Sequence, residues 1–434
     1  MTHSAKKNLL IVGSGGREHA LGWKLYQSNF VNNIYHANGN GGTSVNVNIS
    51  PLKIAELVSF AKKNRCFTII GPEEPLANGI VDSFIQEELA IFGPTKCASL
   101  LESSKIYAKR FMETSQIPTA DFSIFDEPER AKDYVVKQKG KLVVKANGLA
   151  AGKGVIVCNN TEEAITAIDR MMIKKEFGAS GDTIVIEERL SGHEASFIAI
   201  CDGKTVIPLA SSSDYKKLYD NDKGENTGGM GSFSPTSLID KKLHKKIMDR
   251  IMLPTIRGMK RRGRSFKGFL YAGLMVDHNT LEPKVLEFNV RMGDPECQPI
   301  MMRMRSDLFG YLQASAQESL DTMEPIKWEN QVSVCIVMAS KGYPQKYKKS
   351  MVIRGLDNDF GRNVMIFHAG TARNRKNRII TNGGRVLGIT ALGPNMKIAR
   401  DNAYSAVKKI SWGKNQQHYR TDVGINSLNS GRKI

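Results

Sequence analysis

The stretch KVLEFNVRMGDPE, residues 284–296, decides how the chain is read. A β-strand sends successive side chains to opposite faces, so Leu286, Phe288 and Val290 are expected against a core and Glu287, Asn289 and Arg291 on the free side. Glu287 and Asn289 then offer a carboxylate and an amide oxygen together. These are hard ligands suited to Mg2+, which binds one or two carboxylates and completes its shell with water and phosphate oxygens. Arg291 adds a planar fork for an anion beside the metal. Taken alone, the triplet reads more readily as a half-buried strand with a solvated polar face, and it is its neighbours that favour the metal reading.

Upstream, the strand-like KLVVKAN (141–147) runs into GLAAGKG (148–154) and a second strand-like run. A glycine-rich loop between strands folds over phosphates with its amides inward. Lys145 and Lys153 supply positive charge. This is not a Walker loop: three residues separate Gly148 from Gly152, and Gly154 stands where a metal-binding hydroxyl would follow the lysine. Before it, Ser103 or Ser104 caps an expected helix with Lys105 in its first turn. A cation gains nothing from the helix dipole there, so Lys105 either faces an anion or is simply exposed.

The first hundred residues alternate short apolar runs with helical patterns, which predicts a parallel sheet with helices on its faces. GSGG follows the first strand, but Glu18 occupies the third glycine position of a dinucleotide fingerprint and no acid closes the second strand. The loop still offers backbone N–H groups, a helix N-terminus and Arg17 to a phosphate. A tight turn that needs glycine is the competing reading. Downstream, the polar SSSDYKKLYDNDKGENTGGMG (211–231) is far longer than an ordinary connection and is expected to be functional or disordered.

With 434 residues there is room for about three domains. We place an N-terminal α/β domain at 1–103, a two-lobed unit at 104–326 with its small lobe at about 121–190, and a mixed α/β domain at 327–434. A hydrophobic share of 41% and a charged share of 24% suit a globular chain. No apolar run approaches a bilayer span, and the start shows no signal pattern, so the cytoplasm is expected and no membrane. Six scattered cysteines suit reduced thiols rather than zinc or disulfides. The net charge of +19 is spread along the chain, and its basic runs lack the interleaved aromatics of a single-strand platform. We expect no nucleic acid, only some attraction for phosphates.

Taken in order, these stretches resemble the phosphoribosylamine–glycine ligase (glycinamide ribonucleotide synthetase) family of the ATP-grasp superfamily. GSGGREHAL at 13–21, GPEEPL at 71–76, KANGLAAGKGV at 145–155, IEERLSGHEASF at 186–197 and NTGGMGSFSP at 226–235 carry the first half of the likeness. GFLYAGLM at 268–275, LEFNVRMGDPE at 286–296, FHAGT at 367–371 and TNGGRVL at 381–387 carry the rest. The resemblance implies an N-terminal α/β domain, a two-lobed ATP-grasp unit and a C-terminal domain. It further implies ligation of glycine to 5-phosphoribosylamine by a monomer or homodimer, with ATP and Mg2+ or Mn2+, in purine synthesis.

Residue by residue, it implies that Lys105, Lys145, Gly148, Gly152, Lys153 and Gly154 hold ATP phosphates. Glu187, Glu188 and Leu190 would meet adenine, Glu194 the ribose, and Glu287 and Asn289 the metal. Beyond what the resemblance carries over, we read Lys145 and Arg291 as neutralising the transferring phosphoryl group together with Mg2+, and Asp214 as orienting the amine or glycine's ammonium. On the same reading the Gly13 to Arg17 loop, with Gly13, Gly15, Gly16 and Arg17, receives the ribose phosphate, and Glu18 next to it belongs to the substrate site. Three positions depart from the family: Asn147 replaces an aspartate, Tyr215 a histidine and Glu225 a proline, and the end matches only through YRTDVG. These changes bear on fine substrate contacts more than on ATP chemistry. The rival readings are another ATP-grasp carboxylate–amine ligase, a basic nucleic-acid-binding protein and a non-catalytic relative.

Overall fold

The computed structural model describes residues 6–139, 141–150 and 153–425; Gly152, one of the loop glycines singled out above, lies outside them. Lys7–Gly13 stands at the centre of a five-stranded parallel sheet in the order Asn46–Val47, Val31–Asn38, Lys7–Gly13, Cys66–Ile70, Ile91–Phe92. A strand covered on both faces carries an apolar run rather than an alternation, and Leu9, Leu10, Ile11 and Val12 are all buried. The strand turns at Gly13 into the helix Gly16–Leu25. Gly13 has φ +127°, and a Cβ there would lie 2.6 Å from the Glu18 side chain, so only glycine fits.

The middle of the chain builds a four-stranded antiparallel sheet in the order Val206–Pro208, His193–Asp202, Lys267–Val276, Pro283–Asn289. Its last strand departs from the expected alternation once. Gly273 pairs with Glu287 but Leu274 pairs with Val285, so Leu286 is the extra residue of a β-bulge. Leu286, expected in the core, therefore lines the cleft, and Val285 packs inward instead. An apolar cluster runs unbroken from the N-terminal sheet (Leu10, Val12, Ile70) to this one (Phe197, Leu270, Phe288). At about 1.5–3 kcal/mol per buried side chain of this kind, the two layers hold as one body.

The small lobe is a separate antiparallel sheet in the order Phe122–Phe125, Ile184–Glu188, Leu142–Ala146, Val155–Val157. The helices Pro128–Lys137 and Thr161–Ile168 back it, with their own core around Val135, Val144, Ala164 and Ile186. A last sheet runs Ser213–Asp214, Gly231–Ser234, Val332–Ser340, Arg385–Gly393, Val364–His368, and Gln417–His418 adds to Val332–Ser340. It draws strands from both the middle and the end of the chain. The long polar stretch 211–231 is ordered: Lys217–Tyr219 pairs with Lys223–Asn226. No helix among the described residues is long and apolar enough to cross a membrane.

Candidate active site

The central sheet, the small lobe and the last sheet enclose a cleft of about 1850 Å³. Of the residues singled out from the sequence, Arg17, Lys105, Lys145, Lys153, Gly154, Glu187, Glu188, Leu190, Glu194, Asp214, Glu287, Asn289 and Arg291 line it. Gly13, Gly15, Gly16, Glu18 and Gly148 are not among its lining residues.

On the wall formed by Pro283–Asn289, the Glu287 carboxylate faces the cleft and takes no hydrogen bond from any described residue. Burial alone would raise its pKa, but Lys216, Lys105, Lys145 and Arg291 outweigh that and hold it below the ordinary value. It is an anion with open lone pairs. Asn289 lies beside it, its Oδ1 accepting one bond from Arg291 Nη2 at 3.0 Å. Among the described residues no cluster of three or more His, Cys, Asp or Glu side chains could hold a metal by itself. An acid and an amide oxygen fit a hard divalent ion that takes its other ligands from phosphates and water.

Arg291 is anchored from behind. Its Nη2 lies 2.8 Å from Glu102 Oε1 and its Nε 3.1 Å from Glu73 Oε2. Burial opposes the guanidinium charge, but Glu102 and Glu73 outweigh it and raise its pKa. Glu102 is driven the other way: burial lifts its carboxyl to about 7 against the pull of Arg291. Neither acid is near Arg291 in sequence, and the GPEEPL motif carried the signal for only Glu73.

The opposing cations are also fixed. Lys145 Nζ donates to the carbonyl of the bulged Leu286 at 3.0 Å and pairs with Glu187 Oε2 at 2.9 Å. Lys109, which the sequence did not mark out, reaches the same oxygen at 2.9 Å. The Glu187 carboxylate is thus buried between two lysines, with its Oε1 unpartnered. Glu188 is occupied as well, its Oε1 accepting from Lys284 Nζ at 2.8 Å and from the Asp121 N–H at 3.1 Å. Lys105 begins the helix Lys105–Thr114, N-capped by Ser104. Burial lowers its pKa against the pull of Glu287.

The departure at Asn147 has a physical role here. Asn147 Oδ1 accepts from Ser104 Oγ at 3.1 Å and from the Ile106 N–H at 3.0 Å, and its carbonyl accepts from the Lys105 N–H at 2.9 Å. It pins the small-lobe loop to the start of the Lys105 helix. Within that loop, a Cβ on Gly148 would fall 2.3 Å from Ser180 Oγ, so this glycine serves close packing. Lys153 Nζ reaches the Pro344 carbonyl at 3.2 Å. Glu225 stands outside the cleft lining and accepts from Gln345 Nε2 at 2.8 Å.

A third group of polar side chains was not legible beforehand. Glu296 Oε1 accepts from Tyr271 Oη at 2.6 Å and from Ser196 Oγ at 3.1 Å; all three are buried, Glu296 and Tyr271 lining the cleft and Ser196 behind them. Nearby, Lys216 Nζ lies 2.8 Å from Glu194 Oε2. Burial raises the Asp214 carboxyl to about 7, Lys216 countering and Glu296 and Glu194 adding to the rise. At the other end, Arg17 Nη1 donates to the Met292 carbonyl at 3.2 Å, and its Nε meets Glu18 Oε1 at 2.6 Å. The second Glu18 oxygen accepts from the Gly15 N–H at 2.6 Å, which closes the start of the helix. Glu18 is committed to the turn, leaving Arg17 as the part of this loop on the cleft.

Three domain descriptions match the chain: the N domain of phosphoribosylglycinamide synthetase over 7–102, its ATP-grasp (A) domain over 103–297 and its C domain over 333–426. The chain is 48% identical over 427 residues to the phosphoribosylamine–glycine ligase of Vibrio vulnificus, covering 97% of this chain and 98% of that one. The enzyme of Neisseria meningitidis is 46% identical over 427 residues, covering 97% and 99%. The crystal structure of phosphoribosylamine–glycine ligase from Thermotoga maritima superposes with a TM-score of 0.82 at 32% identity, over 96% of this chain and 100% of that one. Biotin carboxylase from Campylobacter jejuni shares the fold alone, with a TM-score of 0.71 at 17% identity, over 98% and 95%. The ATP-grasp fold implies ATP and a divalent metal, and the cleft supplies matching groups. The chain belongs to the phosphoribosylamine–glycine ligase family, whose members ligate glycine to phosphoribosylamine with ATP in purine biosynthesis.

Proposed function

We propose that the ligation runs through an acyl phosphate formed in this cleft, with Mg2+, or Mn2+ in its place, held by Glu287 and Asn289. The observation that carries this reading is the Glu287 carboxylate, ionised and without a hydrogen-bonding partner among the described residues, facing the cations Lys105 and Lys145. A carboxylate does not react with an amine in water at a useful rate, so glycine must first be activated. One of its oxygens bonds to the γ-phosphorus of ATP while the bond to ADP breaks. The amine nitrogen of phosphoribosylamine then bonds to the acyl carbon, phosphate leaves and the nitrogen gives up a proton.

The bound metal would supply charge neutralisation at the phosphates. The chain's own side chains do the rest. Lys105 and Lys145 hold the phosphates, Lys145 kept in place by Glu187 and the Leu286 carbonyl. Arg291, immobilised by Glu73 and Glu102, meets the developing negative charge without reorganising. Lys153, with Leu149, Ala150 and Gly154 beside it on the cleft, covers the nucleotide and keeps water from the acyl phosphate. Asp214 orients glycine's ammonium or the attacking amine, and Arg17 binds the sugar phosphate. The Glu187 and Glu188 side chains being engaged, backbone groups of 187–190 meet adenine. The six cysteines, five of them buried and none bonded to another, suit the reducing cytoplasm, where the substrates are small molecules.

The test is ADP release with glycine and freshly made phosphoribosylamine, and with each omitted. Release only with both present is expected; a glycine-independent rate would overturn the substrate assignment.

A further inference from the structure

Asp214 and Lys216 reach the cleft from either side of Tyr215, and the grip on this link between the strands Ser213–Asp214 and Lys217–Tyr219 comes from the far end of the chain. Between them the Tyr215 side chain packs into the C-terminal core beside Phe233 and Val423. Its ring lies 4.7 Å from the Arg420 guanidinium carbon, and its hydroxyl accepts from the Gly424 N–H at 2.7 Å. Arg420 is only 1% exposed. Its Nε and Nη2 fork onto Asp422 at 2.7 and 2.6 Å, while Nη1 reaches Asp222 Oδ1 at 2.8 Å and the Lys217 carbonyl at 3.1 Å. The Thr421 N–H adds a bond to Asp220 Oδ1 at 2.8 Å.

A buried guanidinium is costly unless its donors are satisfied. Here the guanidinium holds the polypeptide on both sides of Lys216: its face lies over the ring of residue 215 and one of its donors takes the carbonyl of residue 217. Fixing those two fixes the backbone between them, and with it the direction of the cleft-facing side chains. We infer that Arg420 is a positioning residue for the ligation: from outside the cleft it sets where Asp214 and Lys216 stand. The C-terminal segment is then part of the amine-binding machinery. The inference rests on the assignment of Asp214 to an amine substrate.

Kinetics of the full chain test it, with Arg420→Met, Arg420→Lys and Asp222→Asn. A misplacement near 1 Å costs up to about a hundredfold, so Arg420→Met is expected to lower kcat/KM for glycine at least about tenfold. Affinity for ADP should stay within about fivefold, because Lys105 and Lys145 sit on other elements and the partly exposed Lys216–Glu194 pair contributes little. Arg420→Lys should recover part of the loss. Should Arg420→Met fail to fold, Asp222→Asn removes one arm at a side chain 65% exposed, and the same change, smaller, is expected with an unaltered melting temperature. Equal losses for glycine and ADP, or none for glycine in any foldable variant, would overturn the inference. Asp214→Asn separates the two claims. If it leaves the glycine response unchanged, the Asp214 assignment falls and the inference with it; if it alters that response while the Arg420 and Asp222 variants do not, only the inference falls.

Discussion

Arg291→Lys keeps the charge and removes the fork. The guanidinium makes four polar contacts, to Glu102 at 2.8 Å, Asn289 at 3.0 Å, Glu73 at 3.1 Å and the Met292 carbonyl at 3.3 Å. A lysine ammonium reaches one of the two acids, leaving the other without its cation, Glu102 then keeping only the Val290 N–H. Each charge-assisted bond contributes about 1.5–3 kcal/mol, and water in the cleft recovers part of what is lost, so we expect a net cost of about 3 kcal/mol. The cost depends on pH through Glu102. A carboxyl whose folded pKa lies above its unfolded one keeps, in the native state, a proton the unfolded chain has released. Stability from that proton is full below the unfolded value and is lost as pH rises through the folded value. In the native protein the folded value is about 7. With the fork removed it moves higher, at about 1.4 kcal/mol for each unit. The stability gap between variant and parent should therefore widen from pH 6 to pH 8, read from urea midpoints. Turnover should fall about 10²- to 10³-fold, because the group aimed at the transferring charge has lost its frame. A variant with parental midpoints at both pH values and parental kcat would refute the reasoning.

Glu287→Ala should abolish ADP release while circular dichroism remains that of the parent; unchanged turnover would remove the metal role. Asn147→Asp should still accept the bonds from Ser104 and Ile106, while placing a negative charge at the start of the Lys105 helix. It should stabilise the fold by about 0.3–1 kcal/mol and weaken ATP binding less than tenfold, measured by calorimetry. His36 is buried with neither ring nitrogen hydrogen-bonded, and burial lowers its pKa to about 4. Below its unfolded pKa of 6.5 the unfolded chain takes up a proton that the native state refuses until about pH 4. Stability is therefore lost as pH falls through that window, by about 2 kcal/mol at pH 5. His36→Leu should show a smaller loss of urea midpoint between pH 7.5 and pH 5 than the parent.

Where function imposed a local pattern, the sequence was readable. The LLIV run announced a covered parallel strand, and the opening stretch placed Glu287, Asn289 and Arg291 on one wall. The same alternation misplaced Leu286, because a bulge is a property of pairing with Gly273 and Leu274, which a single strand does not reveal. Glu102, Lys109 and Glu296 stayed hidden for a related reason. Each is one charge in an ordinary setting, and only the tertiary fold brings it to Arg291, Glu187 or Tyr271. Glu18 was legible as an acid beside a glycine turn, but its two hydrogen bonds show that the turn itself uses it. The order of 211–231 rests on its own strand pairing and on Arg420, two hundred residues away, and the second of these no local reading could reach.

The central claim is that a triphosphate lies between the lysines of the small-lobe side and the acid–amide pair of the central sheet. A crystal structure with a non-hydrolysable ATP analogue and Mg2+ tests it most directly. The account predicts phosphate oxygens on Lys105 and Lys145 and the ion on Glu287 and Asn289. Phosphates bound elsewhere, with Glu287 turned to solvent, would contradict it.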